Sequence, residues 1–307
     1  MILNILFIVI GIVLVLWGAD RLTDGEVAVA EKMKMPQIVI GLTIVAMGTS
    51  MPEFCVSLIS ALKGTSDLAV GNIVGSNIFN TLLIVGVSAL VAPMSIMKTT
   101  VRKDIPFALV ASALLLIMCL DEDISRFDAA ILFVMFLIFM YITLRGAKAQ
   151  GTDVEEKEKK PMATWLSVVW ILVGLACLIG GSNLFVDGAT VVATKLGVSE
   201  AVIGLTIVAG GTSLPELATS VVSARKGNSG IAIGNVLGSN VFNILAILGL
   251  TGVISPMTLK GITMTDLSMM VISIILIWLF SFTKYKIERW EGAILTAVFV
   301  GYIYSLL

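Results

Sequence analysis

The 307-residue sequence contains no histidine and only three cysteines, Cys55, Cys119 and Cys177. The lack of histidine argues against serine-histidine catalysis, globin-type haem ligation and typical zinc centres. The cysteines lie in apolar stretches without metal-ligand spacing, which indicates packed free thiols. Charged residues form 13% of the chain and the net charge is −1, so nothing suggests nucleic-acid binding. This composition predicts no bound cofactor.

What the chain has in excess is apolar sequence, at 58% of residues with a mean hydropathy of +1.04. Soluble domains are about 45–50% apolar. The composition therefore predicts an all-α membrane protein that crosses the lipid bilayer many times. No positive region precedes the first apolar run, which we interpret as a retained helix. Ten spans are predicted, at residues 2–19, 38–62, 69–92, 105–120, 127–145, 165–186, 201–224, 231–254, 265–282 and 289–306.

A polar linker, residues 146–161, divides the ten spans into a first half, 1–145, and a second half, 162–307. Residues 41–86 align without a gap to residues 204–249, and 28 of the 46 aligned positions are identical. Because five is an odd number of spans, the second half must enter the membrane in the opposite orientation. Inverted repeats of this kind are typical of secondary transporters, whose sites lie near the bilayer midplane.

Positive charge is distributed unevenly between the loops on the two sides of the predicted bundle. With the N-terminus outside, 16 Lys and Arg residues fall in inside loops and 4 in outside loops, which together account for all 20. Cytoplasmic loops are enriched in these residues. The count supports ten spans in a cell membrane and predicts that both termini are extracytoplasmic.

Each repeat carries a proline and a glutamate at the predicted centre of spans two and seven. The sequence reads GTSMPE at 48–53 and GTSLPE at 211–216. Proline removes a backbone donor, so helices two and seven should break there and free the carbonyls near 44–47 in the first copy. A carboxylate at this depth costs at least ~2.5–3.5 kcal/mol, so Glu53 and Glu216 together imply a cation. The same S-x-x-E pattern is also a capping box, in which each glutamate would only cap a half-helix.

The following helices carry GNIVGSNIFN at 71–80 and GNVLGSNVFN at 234–243. The first asparagine, the serine and the last asparagine of each motif lie at i, i+4 and i+8 and share one helical face. The glycine pairs 71/75 and 234/238 predict close helix packing. The remaining asparagines could face the site or only join helices by hydrogen bonds; they are Asn72, Asn77, Asn235 and Asn240.

The candidate ligands are all hard oxygen donors. They are Glu53, Glu216, Asn80, Asn243, Thr49, Ser50, Thr212, Ser213, Ser76 and Ser239, together with the freed carbonyls. Calcium takes about 6–8 oxygens in flexible geometry, and the lack of Cys and His ligands argues against zinc or copper. Sodium also accepts hydroxyl and carbonyl oxygens. The set therefore favours calcium and sodium competing for one site.

These motifs resemble the two α-repeats of sodium/calcium exchangers, in the cation/calcium exchanger superfamily. The resemblance implies antiport of calcium against sodium by alternating access, with side-chain ligands at Glu53, Glu216, Thr49, Ser50, Ser76, Thr212, Ser213 and Ser239. It adds the carbonyl oxygens of Ala46 and Ala209, and a gate formed by spans one and six. Asn243 stands where potassium-dependent members carry aspartate, which argues against potassium dependence and leaves a fixed charge of −2. The additional sodium ion that the resemblance suggests would make the exchange electrogenic.

Three alternatives follow from the same residues. A proton/calcium antiporter stays open because Glu53 or Glu216 could carry protons, although the first-repeat motif usual in that group is absent. A cation channel would use similar oxygens, but broken helices in inverted halves favour alternating access. An intramembrane protease is disfavoured because no histidine activates Ser50 or Ser213. We expect a monomer whose partners are calcium ions, sodium ions and lipid.

Overall fold

The computed structural model describes residues 1–149, 162–197, 207, 209–259 and 261–306. It is mostly helical, as predicted, with a few short strands. The helices, in chain order, are α1 Ile2–Met33, α2 Gln37–Thr49, α3 Met51–Leu62, α4 Ser66–Val91, α5 Thr100–Asp121, α6 Arg126–Ala149, α7 Thr164–Lys195, α8 Ala209–Thr212, α9 Leu214–Arg225, α10 Ser229–Ile254, α11 Met264–Ser281 and α12 Arg289–Leu306. Seven of these are long and apolar enough to cross a membrane, and the bent pair α2–α3 makes an eighth candidate.

Two of the ten predicted spans are not among these eight candidates. The predicted span 201–224 lies partly outside the described residues, which resume there as α8 and α9. The predicted span 289–306 is present as α12, an 18-residue helix that begins with Arg289 and Glu291. Most of the predicted linker 146–161 lies outside the described residues. The ten-span count and the inverted layout therefore stay predictions.

The first and seventh helices form a long antiparallel pair. Each has 32 residues, so both continue well beyond the predicted spans 2–19 and 165–186. Their backbones touch at glycines: a Cβ added at Gly18 would lie 2.8 Å from the Gly174 carbonyl oxygen, and one added at Gly11 would lie 2.7 Å from that of Gly181. The opposite side of α1 exposes large apolar side chains, as expected of a surface that faces lipid.

The predicted spans two and seven are broken in the middle, at Ser50 and Ser213, as expected. Ser50 has φ −83° and ψ 9° and separates α2 from α3, which are bent by 48° relative to each other. Ser213 has φ −92° and ψ 7° and separates α8 from α9. In both copies a proline occupies the first turn after the break, where its missing N–H group costs no hydrogen bond.

Helices α4 and α10 form the centre of the protein, with 72% and 94% of their apolar windows buried. Each contains a wide π-helical turn, at Phe79–Ile84 in α4 and Phe242–Leu248 in α10. π-Helical turns occur often at functional sites, and these two hold Asn80 and Asn243. The loops are joined by two short antiparallel ladders, Met94–Ser95 with Lys286–Ile287 and Asp123–Ile124 with Met257–Thr258, which the all-α prediction did not include.

The two GxxxG pairs differ, although their sequences match. A Cβ at Gly234 would lie 2.7 Å from the Ile38 carbonyl oxygen, and one at Gly238 would lie 2.7 Å from the Leu42 Cα atom, so this pair packs directly on α2. A Cβ at Gly75 would meet no atom within 4 Å, and one at Gly71 would meet only the Ile262 side chain at 3.1 Å. The packing prediction is confirmed for α10 and wrong for α4, whose glycines line a cavity instead.

A matched pair of substitutions tests this difference. Gly238→Ala should destabilise the protein by about 1–3 kcal/mol because the new methyl group overlaps the α2 backbone. Gly75→Ala, at the equivalent position of the first repeat, should leave stability nearly unchanged. Thermal unfolding of both variants in the same detergent checks the prediction, and equal melting temperatures would contradict it.

Candidate cation site

The serine and glutamate of each S-x-x-E motif bond to the other copy of the motif. Ser50 Oγ donates to Glu216 Oε1 at 2.9 Å, and Ser213 Oγ donates to Glu53 Oε1 at 3.0 Å. Neither serine caps its own helix by a side-chain hydrogen bond. The capping interpretation is therefore wrong for this structure, and the four side chains form one cluster between α2–α3 and α8–α9.

A second set of bonds fixes the backbone behind each glutamate. Asn235 Nδ2 donates to the Glu216 carbonyl oxygen at 3.3 Å and to Ser220 Oγ at 3.0 Å. The equivalent Asn72 Nδ2 donates to the Glu53 carbonyl oxygen at 3.1 Å and to the next serine of its repeat at 3.0 Å. These asparagines thus join neighbouring helices and position the carboxylates.

The threonines before the breaks also face the opposite half. Thr49 Oγ1 donates to Asn235 Oδ1 at 3.1 Å and lies near Glu216. Thr212 is a hydrogen-bond partner of Glu53. Both threonines therefore contact the cluster in which sequence analysis placed them.

Four asparagines join α4 to α10 by hydrogen bonds. Asn80 Nδ2 donates to Asn240 Oδ1 and Asn243 Nδ2 donates to Asn77 Oδ1, each at 3.2 Å. Asn240 Nδ2 donates in turn to Thr81 Oγ1 at 2.7 Å. Asn240 and Asn77 therefore fix the side-chain amide groups of Asn80 and Asn243, respectively. The side-chain carbonyl oxygens of Asn80 and Asn243 have no hydrogen-bond partner.

Five buried oxygen atoms from the predicted ligands have no hydrogen-bond partner. They are Glu53 Oε2, Glu216 Oε2, Asn80 Oδ1, Asn243 Oδ1 and Ser239 Oγ. Both glutamates are at most 1% exposed, and the salt bridges in the described part of the chain do not include them. Buried acceptors without donors are costly. This donor set fits a cation with hard-oxygen preference, which would supply the missing partner.

The structure places the remaining predicted ligands less uniformly. Ser76 Oγ lies 3.3 Å from Ser213 Oγ and so belongs to the cluster. The Ala46 carbonyl oxygen accepts the Ser50 amide at 3.0 Å, so it keeps its helical donor, contrary to prediction. Pro52 has no N–H group, so the carbonyl oxygen four residues earlier, that of Gly48, loses its helical donor. A bound ion would use the second lone pair of the Ala46 carbonyl oxygen. Ala209 begins α8, and its side chain lies outside the described set.

The cluster is accessible from one side. A cavity of about 460 Å³ extends from Asn72, Ser76 and Gly210 to Gly261 and Asp266 at the start of α11. The charge count predicts that this end is extracytoplasmic. An open route therefore leads from one face of the protein to the candidate ligands.

The other side is closed by contacts between α1 and the end of α9. Lys226 Nζ lies 2.6 Å from Asp20 Oδ1 and 2.8 Å from Asp24 Oδ1. Thr23 Oγ1 lies 3.0 Å from Ser223 Oγ. The sequence motifs do not single out these residues, although Asp24-Gly25 matches Asp187-Gly188 at the repeat offset and so offers a weak signal in this part of α1.

The cluster is not a conventional acidic metal centre. No group of three His, Cys, Asp or Glu side chains with metal-site geometry occurs among the residues that the structure describes. The site instead combines two carboxylates with neutral oxygens, which suits ions that must bind and leave rather than a permanently bound metal.

Comparisons with known proteins agree with this geometry. The chain is 37% identical to inner membrane protein YrbG of Escherichia coli, over 100% of this chain and 97% of that protein. It is 32% identical to sodium/calcium exchanger MaX1 of Methanosarcina acetivorans, over 99% of this chain and 98% of the relative. It superposes on the sodium-calcium exchanger NCX_Mj with a TM-score of 0.88 and 30% identity, over 100% of this chain and 99% of that one. The family model described as sodium/calcium exchanger protein matches residues 3–145 and 166–307. The chain therefore belongs to the sodium/calcium exchanger protein family.

Proposed function

We propose that the protein is a secondary active antiporter that exchanges calcium for sodium across the membrane. The observation that carries the proposal is the set of five unpartnered buried oxygens around Glu53 and Glu216. A divalent cation would balance the two carboxylates and supply the missing partners at once. Membership of the exchanger family supports the same ions.

Alternating access is the transport mechanism that this arrangement favours. The ligands come from both halves of the chain, since each serine bonds to the glutamate of the other repeat. A displacement of the halves therefore changes the site itself. One face is open through the cavity and the other is closed by Lys226 with Asp20 and Asp24. Breaking these ion pairs while the cavity closes would move access from one side to the other.

Calcium uptake into proteoliposomes tests the proposal. Sodium, proton and potassium gradients are imposed separately, and only an outward sodium gradient should drive calcium accumulation. Uptake driven by a proton gradient alone would favour the proton/calcium alternative, which rests on the same buried carboxylates. Calcium flux that needs no counter-ion would indicate a channel and would overturn the proposal.

We expect potassium to be dispensable. Position 243 carries an asparagine that donates to Asn77 and adds no negative charge, so the site lacks a third carboxylate for another cation. Sodium-driven calcium flux should be unchanged when choline replaces all potassium. A strict requirement for potassium would contradict this view of Asn243.

A further inference from the structure

Glu26 is a buried acid that the candidate cation site does not use. Its side chain is 0% exposed, and neither of its carboxyl oxygens has a hydrogen-bond partner. It lies on α1 among tightly packed helices, next to Gly25, where a Cβ would lie 2.8 Å from the Ser167 carbonyl oxygen of α7. Burying an ionised carboxylate without a partner costs several kcal/mol, so the group needs either a proton or another cation here.

In the described part of the chain no charged group forms an ion pair with Glu26, although Lys226 acts on it at longer range. Lys226, at the end of α9, is bonded to Asp20 and Asp24 of α1, and Arg21 is paired with the same aspartates. The other titratable side chains of α9 are Glu216 and Arg225. Helix α2 and the facing Ser167–Ile171 segment of α7 carry no charged residue.

Buried hydroxyls connect this acid with the cation site along α9. Thr219 and Ser223 follow Glu216 and are both 0% exposed, whereas Ser220 is bonded to Asn235 of α10. Ser223 contacts Thr23, one helical turn before Glu26, and Thr219 Oγ1 has no hydrogen-bond partner. The closed side thus contains a polar seam between α1 and α9, which runs from Glu216 to the Lys226 ion pairs.

Three polar residues of the seam have no polar counterpart at the equivalent positions of the other repeat, whereas Ser223 and Lys226 have one in Ser60 and Lys63. With the offset of 163 residues, Glu26 corresponds to Ala189, Thr23 to Val186 and Thr219 to Val56. The glutamates and serines of the cation site are repeated in both halves, whereas these polar residues occur in one only. The difference therefore concerns one face of the transporter and not ion binding as such.

We propose that Glu26 is a proton-binding site on the closed side, and that it releases its proton when the seam between α1 and α9 opens. In the closed state the carboxyl carries the proton. When water enters the seam, the O–H bond breaks, the proton passes to that water, and a carboxylate faces the ion route. The proton returns to the carboxyl on closing, so it is not carried across the membrane. The proposal rests on the proposed alternating access, and acid on the Lys226 side should hold that side closed.

Infrared spectroscopy tests the protonation without any transport measurement. The difference spectrum between wild type and Glu26→Gln should show the carbonyl band of one protonated carboxylic acid, lost in the variant. Glu26→Asp should shift this band and not remove it. A difference spectrum with the bands of an ionised carboxylate would overturn the proposal, whatever ions the protein carries.

Transport at saturating calcium tests the coupling, because saturation suppresses proton competition at Glu53 and Glu216. With pH varied only on the Lys226 side, the wild-type rate should rise with pH by up to about tenfold per unit over part of the range. Glu26→Gln should stay at the low, acid-limit rate at every pH. Glu291→Gln is the matched control, since Glu291 is also 0% exposed and has an unpartnered Oε1 atom, but lies on α12. A pH response retained in Glu26→Gln, or lost in Glu291→Gln, would overturn the proposal.

Discussion

Glu53→Gln and Glu216→Gln should each abolish calcium transport while the protein still folds. Glutamine keeps an oxygen that can accept the bond from Ser213 or Ser50, so the cross-repeat contact survives. It removes one of two negative charges in a site where neither carboxylate forms an ion pair within the described residues. Loss of one partner from a buried charge pair costs about 3–5 kcal/mol, which corresponds to roughly two to four powers of ten in calcium affinity.

The measurement is calcium uptake by purified variants in proteoliposomes with a fixed sodium gradient, together with thermal unfolding to establish that they fold. Glu31→Gln is a suitable control, because Glu31 is an exposed glutamate near the end of α1 and the substitution changes the net charge equally. Glu31→Gln should transport like wild type. Substantial calcium exchange by either site variant would mean that the cation binds elsewhere.

The second large effect is the response to membrane potential. Calcium balances the −2 charge of the two glutamates, so the calcium-loaded site is neutral. Asn80 and Asn243 add no negative charge, so a site that carries one sodium ion more than the two needed for balance has a net positive charge. One elementary charge is worth about 2.3 kcal/mol per 100 mV, so a potential of that size should change the equilibrium calcium gradient by roughly 50-fold.

A potassium-valinomycin potential across proteoliposomes measures this effect with sodium and calcium gradients held constant. A potential of one sign should increase calcium accumulation, and a potential of the opposite sign should decrease it. Vesicles without valinomycin give the baseline. Calcium flux that ignores the sign of the potential would indicate electroneutral exchange of two sodium ions or two protons.

The sequence predicts which side chains lie together in the site, because the same motif occurs in both repeats. The proline break, the two buried glutamates and the polar faces of α4 and α10 all follow from local pattern. Local pattern could not decide where the serine hydroxyls point, because a capping box and a cross-repeat bond use the same residues. Only the packing of α2–α3 against α8–α9 selects the cross-repeat bond.

Identical motifs also acquired different surroundings. Gly75 and Gly238 occupy equivalent positions, yet one faces a cavity and the other touches the backbone of α2. Which side of the protein is open cannot be read from a repeat that is nearly the same in both halves. Glu26 lies beyond the predicted first span, residues 2–19, and follows the charged residues Asp20–Asp24, so the apolar pattern does not predict its burial. Its burial results from the 32-residue length of α1, which apolar runs alone underestimate.

The unpaired state of Glu53 and Glu216 bears on slippage, the return of an empty carrier that would dissipate one gradient without building the other. An occluded site without a cation would hold two desolvated like charges, with only hydroxyl and amide groups around them. Desolvation of each would cost several kcal/mol, so the empty protein should meet a high barrier to switching sides, whereas a loaded protein should not. The two glutamates would then do more than bind ions: their mutual repulsion would make each crossing conditional on cargo, and uniport would be suppressed without a separate lock.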